Sequence, residues 1–400
     1  MSHPAPSPAL RRARLAVNLM FFTNGALFAN LLPRWPGVKD SLALDATAFG
    51  LLVACYPFGA MIAGPSAGTI VRRLTSARTA LLGTSMVGAV LFGAGLAAST
   101  SATVMGLALF VAGACDAIVD VGQNAHGLRV QRGYGRSIIN SFHAAWSAGA
   151  VTGGLMGSAA LALALPLPIH LAISGALFSA VALYAYTAAL PGPDVDDAAN
   201  HPSREARAGR NHVVGAIAAL SVIALAGTVV EDSGSTWSAI YLRDVVGAHG
   251  GVLGFAFVAM VGAQFVGRLT GDRSVDRRGR RAVARTGGLL IAAGMSAALL
   301  WPSTPLTLLG FAFAGYGSAT LVPAAFDAAD RLPGLKPGSG LTIIGWLMRL
   351  AFLIGPPLVG TLTDAFGLRI GLGVVPAGAL ALLAAVRVLP GPASSPASTR

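Results

Sequence analysis

Residues 251–300 read GVLGFAFVAMVGAQFVGRLT, GDRSVDRRGR and RAVARTGGLLIAAGMSAALL, two apolar runs either side of a polar hairpin. About 20 apolar residues in helical form cross the hydrocarbon core of a bilayer, and each run is close to that length. Between and just inside them lie Arg268, Arg273, Arg277, Arg278, Arg280, Arg281 and Arg285. Such a concentration of arginine fixes a short loop on the side of the membrane where positive charge is retained. The stretch therefore predicts two consecutive membrane crossings rather than two helices of a soluble core.

The same reading extends along the chain. It has 400 residues, 51 of them Gly, and only 11% carry charge, against about a quarter in soluble domains. Spans are predicted near 15–35, 48–71, 78–99, 102–126, 137–161 and 167–190. A second set falls near 213–241, 250–270, 283–300, 305–328, 340–363 and 369–389. With the N-terminus on the cytoplasmic side, alternate loops hold 23 of the 28 basic residues, as the positive-inside rule requires. Both ends are thus expected in the cytoplasm and the chain in a bacterial inner membrane. Arg11, Arg12 and Arg14 lead into a first run too long for a signal peptide. The expected class is an all-α membrane protein of twelve transmembrane helices in two pseudo-symmetric six-helix bundles. These are residues 1–190 and 212–400, joined by a Pro-, Asp- and Arg-rich cytoplasmic linker at 191–211.

The net charge of +12 is spread in loop clusters without interleaved aromatics, which argues against a nucleic-acid partner. Cys55 and Cys115 sit in apolar runs with no metal-ligand spacing, so neither a metal nor a cofactor is expected. No phosphate-binding loop or nucleophile–base constellation appears, and the chain does not read as an enzyme.

The halves correspond at a nearly constant spacing. Gly153-Gly154-Leu155-Met156-Gly157 matches Pro356-Pro357-Leu358-Val359-Gly360 at 203 residues, and Ala112-Gly113 matches Ala314-Gly315 at 202. Arg72-Arg73 matches Asp276-Arg277 at 204. Duplicated halves that rock about a site at the membrane midplane are a mechanism for moving a solute.

Asp276-Arg277-Arg278-Gly279-Arg280-Arg281 resembles the D-R-x-G-R-R signature of the major facilitator superfamily. The resemblance covers essentially the whole chain and implies a transporter, normally monomeric, whose partners are a small-molecule solute, protons and the lipid bilayer. Within the superfamily the chain is similar to the fucose:proton symporter-like branch and its uncharacterised bacterial relatives. The match is carried by Asp120-Val121-Gly122-Gln123-Asn124, an acid-x-x-x-Asn pattern, and by residues 140–149. Two departures stand out: Arg72 replaces the acid of the N-terminal loop, and Leu31 follows Phe28-Ala29-Asn30 where the symporter has a second acid. The signature implies a conformational latch of Asp276, Arg277, Gly279 and Arg280 with Arg72 and Arg73. Asp327 and Arg331, four apart, are expected to pair beside it.

Ionisable groups inside spans are costly, by about 2.5–3.5 kcal/mol at the centre, and mark pathways or structural pairs. Asp116 and Asp120 share one helical face and are the expected proton-coupling groups with Glu231; the other reading has them bracing their helix. The polar run from Glu231 to Trp237 suggests a bent or unwound segment lining a cavity, with at most one of Glu231 and Asp232 pointing to its centre. Arg349 binds an acidic solute or pairs with one of the acids. Asn24, Asn30, Gln123, Asn124, Asn140, His143 and Trp146 are candidate solute contacts, or polar links between helices. Together these groups suggest a proton-coupled carrier of a sugar or organic acid. Export of drugs or metabolites uses the same parts.

Overall fold

A computed structural model of the chain describes residues 7–136, 138–192, 210–330, 332 and 339–389. The predicted partner Arg331 and most of the predicted linker lie outside them. In chain order the helices are α1 (Pro8–Ala29), α2 (Trp35–Ser41), α3 (Ala46–Leu74), α4 (Ser76–Ala97), α5 (Ala102–Tyr134), α6 (Ile139–Ala162) and α7 (Leu167–Ala188). There follow α8 (Arg210–Asp244), α9 (Phe255–Arg278), α10 (Arg280–Leu300), α11 (Thr304–Ser318), α12 (Leu321–Asp330), α13 (Ser339–Phe366), α14 (Leu368–Gly371) and α15 (Val374–Ala385). Eleven segments among the described residues are long and apolar enough to cross a membrane. The twelfth crossing is α6, which has the length, 24 residues, but dilutes its apolarity with Asn140, His143, Trp146 and several glycines. The end that carries the Arg268–Arg285 cluster is called here the basic end.

Two breaks that are faint in the sequence are made by serine caps. Ser101 accepts from Val104 N at 3.3 Å to start α5, and Ser303 accepts from Leu306 N at 3.4 Å to start α11. These side chains satisfy amides that the first turn leaves open. The polar run 231–237 is not unwound, contrary to expectation: α8 passes through it continuously. The reason is local. Ser235 donates to the Glu231 carbonyl at 2.9 Å and Ser238 donates to that of Gly234, so the hydroxyls are satisfied on the helix itself.

The two halves repeat one packing scheme. In the first, α1 packs on α6 and α7, and α5 on α3 and α4; in the second, α8 packs on α13 and α15, and α11 on α9 and α10. Gly113 abuts the Tyr56 carbonyl as Gly315 abuts that of Met260. Along α6, Gly149 and Gly153 press on the backbone of Phe22 and Ala26 in α1, where any Cβ would overlap a carbonyl. The repeat reaches single dihedrals. Ala43, Thr75 and Ala164 have φ of 52°, 71° and 51°. At spacings of 204, 204 and 203 residues stand Gly247, Gly279 and Gly367, with φ of 77°, 78° and 86°.

The halves meet through α3 with α13 and through α6 with α9, and the closures lie away from the basic end. Gly50 lies on the Pro356 carbonyl and Gly360 on that of Ala46. Asp364 at the end of α13 accepts from Ala46 N (2.9 Å), Thr47 N (2.8 Å) and the Thr47 hydroxyl (2.6 Å), capping α3 across the boundary. Arg243 reaches Asp40 at 2.5 Å, and the two stand one residue short of the spacing that relates Ala43 to Gly247.

Candidate functional site

Between the halves is a cavity of about 450 Å³, within the range of small-molecule sites. Burial falls along it. Trp35, on its wall, and Phe49 and Trp237 at the sealed end are all 0% exposed, stacked edge to face with centroids 5.5 and 5.4 Å apart. Asp120 and Arg349, towards the basic end, are exposed. The cavity thus opens at the basic end and is closed at the other.

Helix α5 sets the first wall. Asp116 and Asp120 both line it, as a spacing of four residues dictates. Asn24 on α1 donates from Nδ2 to Asp116 Oδ1 at 2.5 Å and accepts from Trp146 Nε1 on α6 at 2.9 Å. The Tyr56 hydroxyl on α3 completes the shell of Asp116. The Asp120 carboxylate accepts from Gln123 Nε2 at 3.2 Å and Asn124 Nδ2 at 2.9 Å. Gln123 and Asn124 thus hold Asp120 rather than line the cavity.

The second wall comes from α8, α9 and α13. Glu231 and Asp232 both line it, the second from behind, against Gly355 of α13. They do so at different depths, since Asp232 is 5% exposed and held by Thr236, while the Glu231 side chain keeps 33% of its surface. Gln264 Nε2 donates to Glu231 Oε1 at 2.5 Å. Arg268 approaches the same oxygen at 3.5 Å and donates to Ser147 Oγ of the first half at 2.9 Å. Arg349 lines the wall 203 residues after Trp146, its counterpart opposite. Its guanidinium lies 5.5 Å over the Trp346 ring and within electrostatic reach of Asp120.

The remaining expectations fare differently. Asn30 is 0% exposed, donates to the Ala26 carbonyl at 2.8 Å and meets His170 Nε2 at 2.9 Å, so it links helices. Asn140 is exposed and outside the wall. His143 stands edge-on to Phe21 at 5.3 Å, near Asp120 and Arg268 but not on the wall. At the basic end Asp327 pairs with Arg280 of the α9–α10 hairpin; its expected partner Arg331 lies outside the described residues. Arg72 donates to Thr69 Oγ1 at 3.0 Å, Arg73, Asp276 and Arg277 are exposed, and Gly279 makes the turn. Sequence reasoning missed Tyr56, Gln264 and Arg268. For the last two the signal was present, a polar pair four apart in an apolar run, but Arg268 reads equally well as a loop charge. No group of three or more potential metal ligands occurs among the described residues.

A family model described as Major Facilitator Superfamily matches residues 219–400. An uncharacterised transporter of Sinorhizobium fredii is 27% identical over 379 residues, covering 92% of this chain and 94% of its own. A bacterial homologue of the human lysosomal transporter Spinster, solved inward-facing and unoccupied, superposes with a TM-score of 0.72 at 15% identity over 96% of this chain and 98% of its own. FucP in the outward conformation gives 0.60 at 16% identity, covering 95% and 99%. The C-terminal half of the chain thus matches the major facilitator superfamily, and the chain as a whole is similar to transporters.

Proposed function

We propose that this transporter moves a small polar solute, of the sugar or organic-acid class, by alternating access coupled to protons. The observation that carries the reading is a cavity sealed at one end by contacts between the halves, with carboxylates on both its walls. Asp120, with Asp116 and Glu231, takes the proton; neutralising a charge lowers the cost of enclosing it when the halves rock. Asn24, Trp146 and Arg349 hold the solute. In this reading the protein is a monomer of the inner membrane with the basic end cytoplasmic, and residues 1–190 and 212–400 rock about the linker at 191–211. The Arg280–Asp327 pair and the loop around Asp276 limit the cytoplasmic opening.

A thermal-shift screen of the purified protein against sugars, organic acids and common drugs at two pH values tests this, because a ligand of the folded state raises its apparent stability. Stabilisation by a polar class that depends on pH in the parent and not in Asp120→Asn is the expected result. Stabilisation that is the same at both pH values removes the proton coupling. Proton-driven export is favoured by the apolar part of the wall, Phe28, Met61, Phe257 and Phe352, and stabilisation by drugs alone would select it.

A further inference from the structure

We propose that the transported solute carries a protonated amine on a hydroxylated body of about sugar size. This rests on the transport reading above and sharpens its solute class. The wall carries four carboxyl groups, Asp116, Asp120, Glu231 and Asp232, and one basic side chain, Arg349. Arg349 is tethered over Trp346, and Arg268, behind the wall, is committed to Glu231 and Ser147. An anionic solute would enter against this excess of acid. The donors that hold Asp116 and Asp120 are amides and a phenol. They orient the carboxylates without compensating their charge; Arg349 faces Asp120, and an ammonium group would do the same for Asp116.

Two observations independent of the acids point to the rest of the ligand. Phe28 and Tyr56, their centroids 4.2 Å apart, share the wall with Trp146 and the Asp116 carboxylate. An ammonium beside a carboxylate is also attracted by the faces of such rings. Trp35 lines the same cavity at 0% exposure, and its Nε1–H has no partner among the described residues. A buried indole N–H without an acceptor is costly; covered in this state, it meets a solute hydroxyl oxygen when the sealed end opens.

The test compares molecules that differ mainly in charge: glucosamine, glucose and glucuronate, and the same series on mannose. Each is titrated at about pH 6, where the amine is protonated, into the purified full-length protein, with melting temperature and heat of binding as readouts. The amine of at least one series is expected to bind ten-fold or more tighter than its neutral parent, and Asp116→Asn to abolish that advantage. Asn140→Asp, which adds a carboxyl outside the wall, should keep it. Equal binding of amine and parent, or preference for the uronate, overturns the amine assignment and leaves a polar-solute transporter standing. Binding by no member of either series overturns both.

Discussion

Thr75 and Gly279 hold almost the same backbone, φ 71° and ψ 152° against 78° and 156°. That region is nearly reserved for glycine, and a β-branched residue there costs about 1–3 kcal/mol. Thr75→Gly is therefore expected to stabilise the protein by about 1 kcal/mol after the greater entropy of an unfolded glycine is subtracted, and Gly279→Thr to destabilise it; denaturant unfolding in detergent reads both. An unchanged midpoint for the first would show that the turn is not strained. Side-chain roles were legible where spacing alone decides direction, as for Asp116 and Asp120. They were not where only a neighbour decides. Nothing in the sequence separates Asn24, which reaches an acid in the cavity, from Asn30, which reaches His170 in the packing. Asn30→Leu should thus cost about 1–3 kcal/mol, the penalty for leaving His170 without its partner, with solute affinity unmoved. Asn24→Leu should lower affinity first. Reversal of that order would exchange their roles.

The helices were legible from apolar length, and the breaks between them were not, because two serines and their first-turn amides decide where α5 and α11 begin. The continuity of α8 was misread for the complementary reason: serine marks loops and caps in water but is absorbed by its own helix in a bundle. Packing between helices depends on glycine at the level of whole elements. Gly149 and Gly153 bring α6 onto the α1 backbone, and this pair carries Asn24 and Trp146. Gly153→Val is expected to cost about 3 kcal/mol, since overpacking here meets a carbonyl and not a movable side chain. The same variant should loosen the Trp146–Asn24–Asp116 chain. A melting temperature within about a degree of the parent would show that the two helices part easily.

At the scale of the molecule, the doubling of the fold was readable from short matches at 202 to 204 residues, and the dihedrals and glycine contacts repeat at the same spacing. The state of the molecule was not readable, because which end is closed depends on contacts between halves distant in sequence. Asp364 is the most economical of these, one carboxylate that accepts three hydrogen bonds from the start of α3. Loss of such a cap costs about 1 kcal/mol. Asp364→Ala should therefore shift the balance about five-fold towards molecules open at the far end, seen as faster labelling of a cysteine introduced beside Trp35. Unchanged labelling would mean that the backbone contacts at Gly50 and Gly360 suffice. The pair Asp40–Arg243 carries a different implication. At the spacing of 204 that relates Ala43 to Gly247, Lys39-Asp40 corresponds to Arg243-Asp244, so the bridge joins the acid of one half to the base of the other at neighbouring positions of the repeat. Either half can then supply the acid: Asp40→Arg combined with Arg243→Asp should rebuild the bridge that either change alone removes, as though the halves had been exchanged.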